Sequence, residues 1–485
     1  MFMRSLFLIA VVMCSFSLYG CSRRCCKCCY DTSDKIKFES NRLYRISFND
    51  DCGEWEKTEL KSFQDYIDNI VLIITTFNKC EQNTLLVDYS VLDSYNNVKD
   101  QYTGIDLGSF CETYDGYIAA IKGIVDPQYQ SVIGCMLGMA IGDSVGAPYE
   151  FSTVDSRFYD ARNYSKTDSI PMLEGYKPFI YDMAISPGQW TDDTSMGLCL
   201  ADSLIVNKGE LINLDVMRRF LAWWYCGYNN ASRFSDGGFV SSWGVGGNIR
   251  GSFHSFLRYP TSARTTYGNE TTSGNGSVMR NAAIPITFKD IDKALQAAAE
   301  QSYITHKGLE AAECCKLLTF ICSNFISGEK KSTMSDSLDE LLQEGSDVYK
   351  HLALPSVIGL AKSKKGVPSA RGCCKKENWD WKNNVFEYNR SRVMSDPSYI
   401  GSYVMDAMAM SLHILYHTNT FEQAIRVASR LCGDADTVAA VVGQIAGAFY
   451  GVSSFPEQWL NELYYYDHGE LTKKALILNG LNKAS

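Results

Sequence analysis

The run from Gly433 to Gly451 constrains this chain most. Two aspartates, Asp434 and Asp436, stand one residue apart, Thr437 follows, and then come small and apolar residues at helical spacing as far as Tyr450. The spacing predicts a buried helix. Asp436 can cap it by accepting from free backbone N–H groups, and a helix N-terminus tolerates the negative charge. One cap needs one carboxylate, so Asp434 is surplus. Two carboxylates held close repel unless a proton or a cation lies between them. An Asx-turn plus a cap is the plain alternative. A second cluster weighs against it: Thr191-Asp192-Asp193-Thr194 also opens an apolar helix, running from Ser195 to Val206. A cap at Thr191 accounts for one of its aspartates well and for two poorly.

After residue 126 no strand-like alternation is sustained, and helices separated by loops dominate. The expected fold is all-α, with a cleft built from helix ends. Tyr129 to Ala147 reads as an apolar helix carrying Gly134, Gly138 and Gly142 on one stripe. Such glycines cost helix propensity, so they imply that another helix or a ligand approaches closely. Glu150, just beyond, either faces the cleft or is a solvated loop glutamate. Gly274-Asn275-Gly276-Ser277-Val278-Met279-Arg280 is a glycine-rich loop able to offer N–H groups to a phosphate, or simply a tight turn. Its spacing is not that of a P-loop or a dinucleotide fingerprint. Thr305 is expected to cap a helix, with His306 in its first turn as a ligand contact or a surface residue. The polar stretch 328–395 is expected to hold an insertion looping away from the core.

Upstream, the chain changes character. Residues 1–20 have a basic n-region at Arg4 and an apolar stretch too short to span a bilayer, as in an export signal. It ends in Leu18-Tyr19-Gly20-Cys21, which resembles a bacterial lipoprotein signal with Cys21 as the lipidated residue. An uncleaved apolar N-terminus is the alternative. Cys25, Cys26, Cys28 and Cys29, interleaved with Arg23, Arg24 and Lys27, also suit acyl chains beside a membrane. The expected location is therefore exported and membrane-anchored, or delivered into another cell. Residues 21–125 are read as a separate N-terminal region of unknown role, small and helical, with an apolar helical pattern over Phe63 to Phe77. The 18 cysteines define no disulfide framework.

Composition narrows the function. The 485 residues carry 46 basic and 55 acidic side chains, a net charge of −9, with no long basic run. A phosphate-neutralising nucleic-acid face is not indicated. Thr191, Asp192, Asp193, Asp434, Asp436 and Thr437 are all hard oxygen donors. They suit magnesium, manganese or calcium rather than zinc, and four carboxylates suffice for two cations.

Several of these stretches occur in the order found in one family. They are Gly142-Asp143-Ser144-Val145-Gly146-Ala147-Pro148-Tyr149-Glu150, Trp190 to Thr194, Gly274 to Arg280, Thr305-His306, Gly401-Ser402-Tyr403-Val404 and Gly433 to Thr437. Together they resemble the ADP-ribosylglycohydrolase family, of the dinitrogenase reductase-activating glycohydrolase type, over about residues 126–465. The resemblance implies an all-helical domain, taken here as 126–485, with a binuclear magnesium site. It implies hydrolysis of the glycosidic bond between ADP-ribose and an acceptor, most simply a protein side chain. By position, Thr191, Asp192, Asp193, Asp434, Asp436 and Thr437 look like the metal ligands. Glu150 looks like the acid that orients water, and Asp192 and Asp436 also look catalytic. Gly274 to Arg280 look like the pyrophosphate and ribose loop, and His306, Ser402 and Tyr403 like further nucleotide contacts. Arginine-specific relatives carry an Asp-Ile-Gly-Asn-like stretch; the nearest match here, Val245-Gly246-Gly247-Asn248, has no aspartate. The family includes a lens crystallin, so a non-catalytic ADP-ribose-binding or structural role is the alternative.

Overall fold

Asp126-Pro127 opens the long central helix. In the computed structural model the Asp126 side chain accepts from the backbone N–H of Gln128 at 2.7 Å and of Tyr129 at 3.3 Å. Pro127 occupies the first helical position, where its missing N–H costs nothing. The structure describes residues 35–39, 42–49, 54–59, 72–77, 86–92, 98–106, 114–150, 185–231, 242, 244–258, 260, 263–368, 376–383, 386, 402–430 and 433–481. The signal segment and Cys21 lie outside the described residues.

The chain divides into two compact units, one of residues 1–72 with 93–97, the other of 73–92 with 98–485. In the first, β1 (Lys35–Glu39), β2 (Arg42–Asn49) and β3 (Glu54–Glu59) form an antiparallel sheet in that order. In the second, β4 (Leu72–Phe77), β5 (Leu86–Leu92) and β6 (Val98–Asp106) form another sheet, in which β5 and β6 are antiparallel. The helical expectation for this region is thus corrected: residues 72–77 are a strand. The run Ile73-Ile74-Thr75-Thr76 is β-branched throughout, and such side chains suit a pleated surface better than a helix.

Helices follow: α1 (Tyr114–Gly123), α2 (Pro127–Gly146), α3 (Asp192–Val206), α4 (Asn213–Cys226), α5 (Gly247–Arg258), α6 (Ala283–Thr287), α7 (Ile291–Tyr303) and α8 (Leu309–Ser327). Then come α9 (Met334–Leu341), α10 (Val348–His351), α11 (Pro355–Ala361), a hairpin of β7 (Lys365–Pro368) and β8 (Lys376–Asn378), α12 (Val404–His417), α13 (Phe421–Arg430), α14 (Ala435–Tyr450), α15 (Glu457–Asp467) and α16 (Glu470–Gly480). The all-α expectation holds for this body, the short hairpin aside.

The centre is the pair α2 and α14. An ideal Cβ built on Gly134 would lie 2.2 Å from the carbonyl oxygen of Gly447, on Gly138 2.1 Å from that of Gly443, and on Gly142 2.0 Å from that of Ala439. The two backbones therefore touch along a paved stripe. Helix α2 is long and apolar enough to cross a membrane, but it is buried within the fold. The stretch 328–395 differs from expectation. Its described residues pack onto the body: Trp379 and Trp381 are fully buried, and the Trp381 indole donates to the Leu360 carbonyl at 2.7 Å. Two tryptophans just beyond a hairpin bury too much apolar area to be left in solvent.

Candidate active site

The glycine stripe ends at the site. A Cβ on Gly146 would sit 2.5 Å from the Asp436 Cα, so the end of α2 is pressed against the start of α14. That contact brings Asp143, on α2, beside Asp436. Asp143 is fully buried and accepts four donors from the start of α3. They are the Thr191 and Thr194 hydroxyls at 2.8 and 2.7 Å and their backbone N–H groups, each at 3.0 Å. The cap of α3 is thus supplied across the fold, by a neighbouring helix. Thr191 stands at the N-cap position, but its hydroxyl is spent on Asp143 and caps nothing. Asp192 and Asp193 are therefore not needed as caps.

At α14 the expected cap is also displaced. Asp434 is the N-cap residue and Asp436 lies in the first turn, its carboxylate accepting from the Thr437 N–H at 2.8 Å. The Asp434 carboxylate instead accepts from the Ser402 hydroxyl at 2.7 Å.

Two groups of carboxylates result. Oxygens of Asp143, Asp193 and Asp436 lie within 4.8 Å of one another, and so do those of Glu150, Asp434 and Asp436. Asp436 belongs to both groups. Asp193 is fully buried, and neither of its side-chain oxygens has a hydrogen-bond partner among the described residues; the same holds for Oε2 of Glu150. Burial drives the Asp193 carboxyl well above the ordinary carboxylate range, and the charges of Asp143 and Asp192 push it further. Burial raises Glu150, Asp192 and Asp436 in the same way, with neighbouring carboxylates adding to it. Hydrogen bonds from the two threonines restrain, without cancelling, the upward push of burial on Asp143. A nest of buried, mutually repelling acids with orphaned oxygens is unstable on its own, and a hard divalent cation matches it in charge and donor type.

The predicted residues do not all fall in these groups. Asp193, Asp434, Asp436 and Glu150 do. Asp192 lies beside them, pressed by residue 244, where a Cβ would come 2.0 Å from its Oδ1; the positive φ of +85° there also requires glycine. Thr437 is buried with its hydroxyl toward the Met279 sulfur at 3.7 Å. Asp143 is the residue that sequence reasoning missed. Its signal was a lone acid in an otherwise apolar buried helix.

The glycine loop lies alongside. Gly274 bridges Tyr403 in antiparallel fashion, the Asn275 N–H donates to the Ser402 carbonyl at 3.2 Å, and Val404 N–H donates to the Ser273 carbonyl at 3.2 Å. His306 is buried beneath the loop: a Cβ on Gly276 would lie 3.0 Å from its Cε1. Burial, then the charge of Arg280, pushes the His306 imidazole down to about 3, so it stays neutral. It precedes α8, which begins at Leu309 with Gly308 as its N-cap, so Thr305 caps no helix.

Arg280 is a correction. Its side chain is fully buried, donating to the Gln301 Oε1 at 3.0 Å, the Gln301 carbonyl at 2.9 Å and Thr305 Oγ1 at 2.8 Å, with its guanidinium 4.4 Å from the Phe220 ring centroid. Those bonds point it into the core. Ser277 accepts from Ser302 at 2.8 Å, and the Val278 and Met279 carbonyls accept from the Gln444 amide at 3.1 and 2.8 Å. These residues anchor the loop through its C-terminal half.

Fold and site together define an all-α hydrolase whose acids converge at helix ends beside a glycine loop. The chain belongs to the ADP-ribosylglycohydrolase family, whose profile matches residues 125–484, and is an enzyme that hydrolyses glycosidic bonds. It is 28% identical to the ADP-ribosylarginine hydrolase Tri1 of Pseudomonas putida (strain GB-1), over 69% of this chain and 74% of that protein. It is 26% identical to the ADP-ribosyl-(dinitrogen reductase) glycohydrolase of Rhodospirillum rubrum, over 73% of this chain and 98% of that protein. A solved structure titled ADP-ribosylglycohydrolase-related protein complex aligns at a TM-score of 0.51 and 25% identity, covering 73% of this chain and 99% of that one.

Proposed function

We propose that the chain is a divalent-cation-dependent ADP-ribosylhydrolase, using magnesium with manganese as a substitute, that releases ADP-ribose from a modified protein side chain. The observation that carries this is the pair of orphaned, fully buried Asp193 oxygens inside a double carboxylate cage. Asp143, Asp193 and Asp436 would hold one ion, and Glu150, Asp434 and Asp436 the other. Bound ions supply charge that grips vicinal ribose hydroxyls and acidifies a water. Asp143 fixes the start of α3, and with it Asp193. Glu150, whose Oε2 has no partner among the described residues, would orient the attacking water and take its proton. Backbone N–H groups of the Gly274–Gly276 turn suit a pyrophosphate. The buried cage excludes bulk water, which strengthens every charge interaction with the oxocarbenium-like state.

Asp436→Ala removes the carboxylate common to both groups. Magnesium-dependent release of ADP-ribose is expected to fall at least about a thousandfold, as for loss of a principal electrostatic group. Release at the wild-type rate overturns the assignment. A panel of arginine-, serine- and nucleic-acid-linked ADP-ribose identifies the acceptor. The similar Tri1 protein is named for arginine, but the Val245-Gly246-Gly247-Asn248 segment has no acid to meet a guanidinium.

We also propose that Cys21 carries a lipid that tethers the enzyme to a membrane outside the bacterial cytoplasm. Fatty-acid labelling is expected on wild type and absent from Cys21→Ala. Labelling that survives the substitution refutes Cys21 as the anchor.

A further inference from the structure

Residues 402–404 form a short strap between the carboxylate cage and the glycine loop. One side of the strap reaches the cage: the Ser402 hydroxyl donates to Asp434 at 2.7 Å. Its backbone is laced to the loop at Ser273, Gly274 and Asn275. The Tyr403 side chain donates its hydroxyl to the carboxyl of Glu310. Glu310 is fully buried in the first turn of α8, outside both carboxylate groups. The start of α8 is itself seated on the loop. Leu309 N–H donates to the Glu270 carbonyl at 3.0 Å, and a Cβ on Gly308 would meet the Ser273 hydroxyl at 2.1 Å. A buried acid at this place has no part in the chemistry described above, yet it holds a segment that touches both the carboxylate cage and the glycine loop.

We propose that Glu310 is a positioning residue that couples cation binding to nucleotide binding: through Tyr403 it fixes a strap that clamps Asp434 and pins the glycine loop. A cation that orders Asp434 then orders the strap, and with it the loop. By linkage, a nucleotide that orders the loop tightens the cation by the same factor. The proposal rests on the functional reading above, because it takes the nucleotide to be ADP-ribose.

The test is calorimetric titration of the full chain with ADP-ribose, with and without saturating magnesium. Wild type is expected to bind ADP-ribose at least about fivefold more tightly with magnesium, the lower end of ordinary coupling. Tyr403→Phe keeps the ring and loses the hydroxyl, so this factor is expected to fall below about twofold, with a lower metal-free unfolding midpoint because the buried Glu310 carboxyl loses a donor. Glu310→Gln still accepts a hydrogen bond and is expected to retain the coupling, whereas Glu310→Ala loses it. A merely structural Glu310 would shift unfolding midpoints and leave the ratio of affinities alone. Should Tyr403→Phe fail to fold, Ser402→Ala cuts the clamp from the other side and is expected to lose the coupling too. Wild-type coupling that persists in Tyr403→Phe or in Ser402→Ala overturns this proposal alone. A wild type that binds magnesium but no ADP-ribose in either state overturns the functional reading and this proposal with it.

Discussion

Asp193→Asn is expected to stabilise the metal-free protein and to abolish its stabilisation by magnesium. The wild-type carboxylate is fully buried and both its oxygens lack partners among the described residues. Burial, then Asp143 and Asp192, raise its folded-state pKa well above the unfolded value near 3.9. A group raised in this way contributes stability that is fully present below the unfolded value and is lost as pH rises through the folded one. At neutral pH the metal-free protein must therefore retain a proton there or bear a buried charge. Asparagine has nearly the same shape and no charge, so the cost of a buried charge is replaced by the smaller cost of a buried neutral amide. The gain is expected at pH 8 and shrinks to nothing as pH falls toward the unfolded value, where the carboxyl is protonated in both states. His306, held neutral by burial, gives the opposite slope, but equally in both proteins, so the difference between them reports Asp193 together with the carboxylates its charge raises, Asp436 among them. Magnesium acts the other way. Wild type gains about 2.7 kcal/mol at a hundred times the dissociation constant, and the variant gains none. Thermal unfolding across pH, with and without magnesium, measures both effects. A variant that is weaker without metal and still shifted by magnesium would make Asp193 a structural acid.

Much of this site was legible from residue type and order alone. Paired aspartates at the start of two apolar helices are more than capping requires, and the surplus acids, Asp193 and Asp434, fall in the carboxylate groups. What could not be read was where capping would come from. Local rules assign a helix N-terminus to its own neighbours. Here Asp143, 48 residues before Thr191, caps α3 through tertiary contact, and no sequence spacing encodes that. Arg280 misled for a related reason. An arginine closing a glycine loop looks like a phosphate contact, but three hydrogen bonds to Gln301 and Thr305 turn it into the core. The strand at Leu72–Phe77 escaped because its apolar residues also fit a 3.6 period. The β-branched run was the better guide in a short segment.

Gly138→Ala is expected to cost about 3 kcal/mol or more, and to weaken magnesium binding although the residue touches no carboxylate. In an ordinary helix the change would help, since alanine exceeds glycine by about 1 kcal/mol in helix propensity. Here the new Cβ would fall 2.1 Å from the Gly443 carbonyl oxygen and 2.8 Å from its carbon, both helical backbone atoms. A flexible side chain could swing aside, but hydrogen-bonded backbone yields only if α2 and α14 separate, which places the cost at the upper end of overpacking, about 3 kcal/mol. Asp143 and Asp436 sit at the same end of those two helices, one on each, so any separation widens the cage. Gly123→Ala is the control, because a Cβ there meets nothing within 4 Å. Unfolding curves and magnesium titrations of the two variants measure the contrast, with loss of soluble protein as the extreme form of the expected result. Equal midpoints and equal magnesium affinities would mean that the helices can part without consequence. If the contrast holds, the stripe of glycines is as much a part of the site as the acids are, since it sets how close the carboxylates stand and hence how strongly the cage favours a cation.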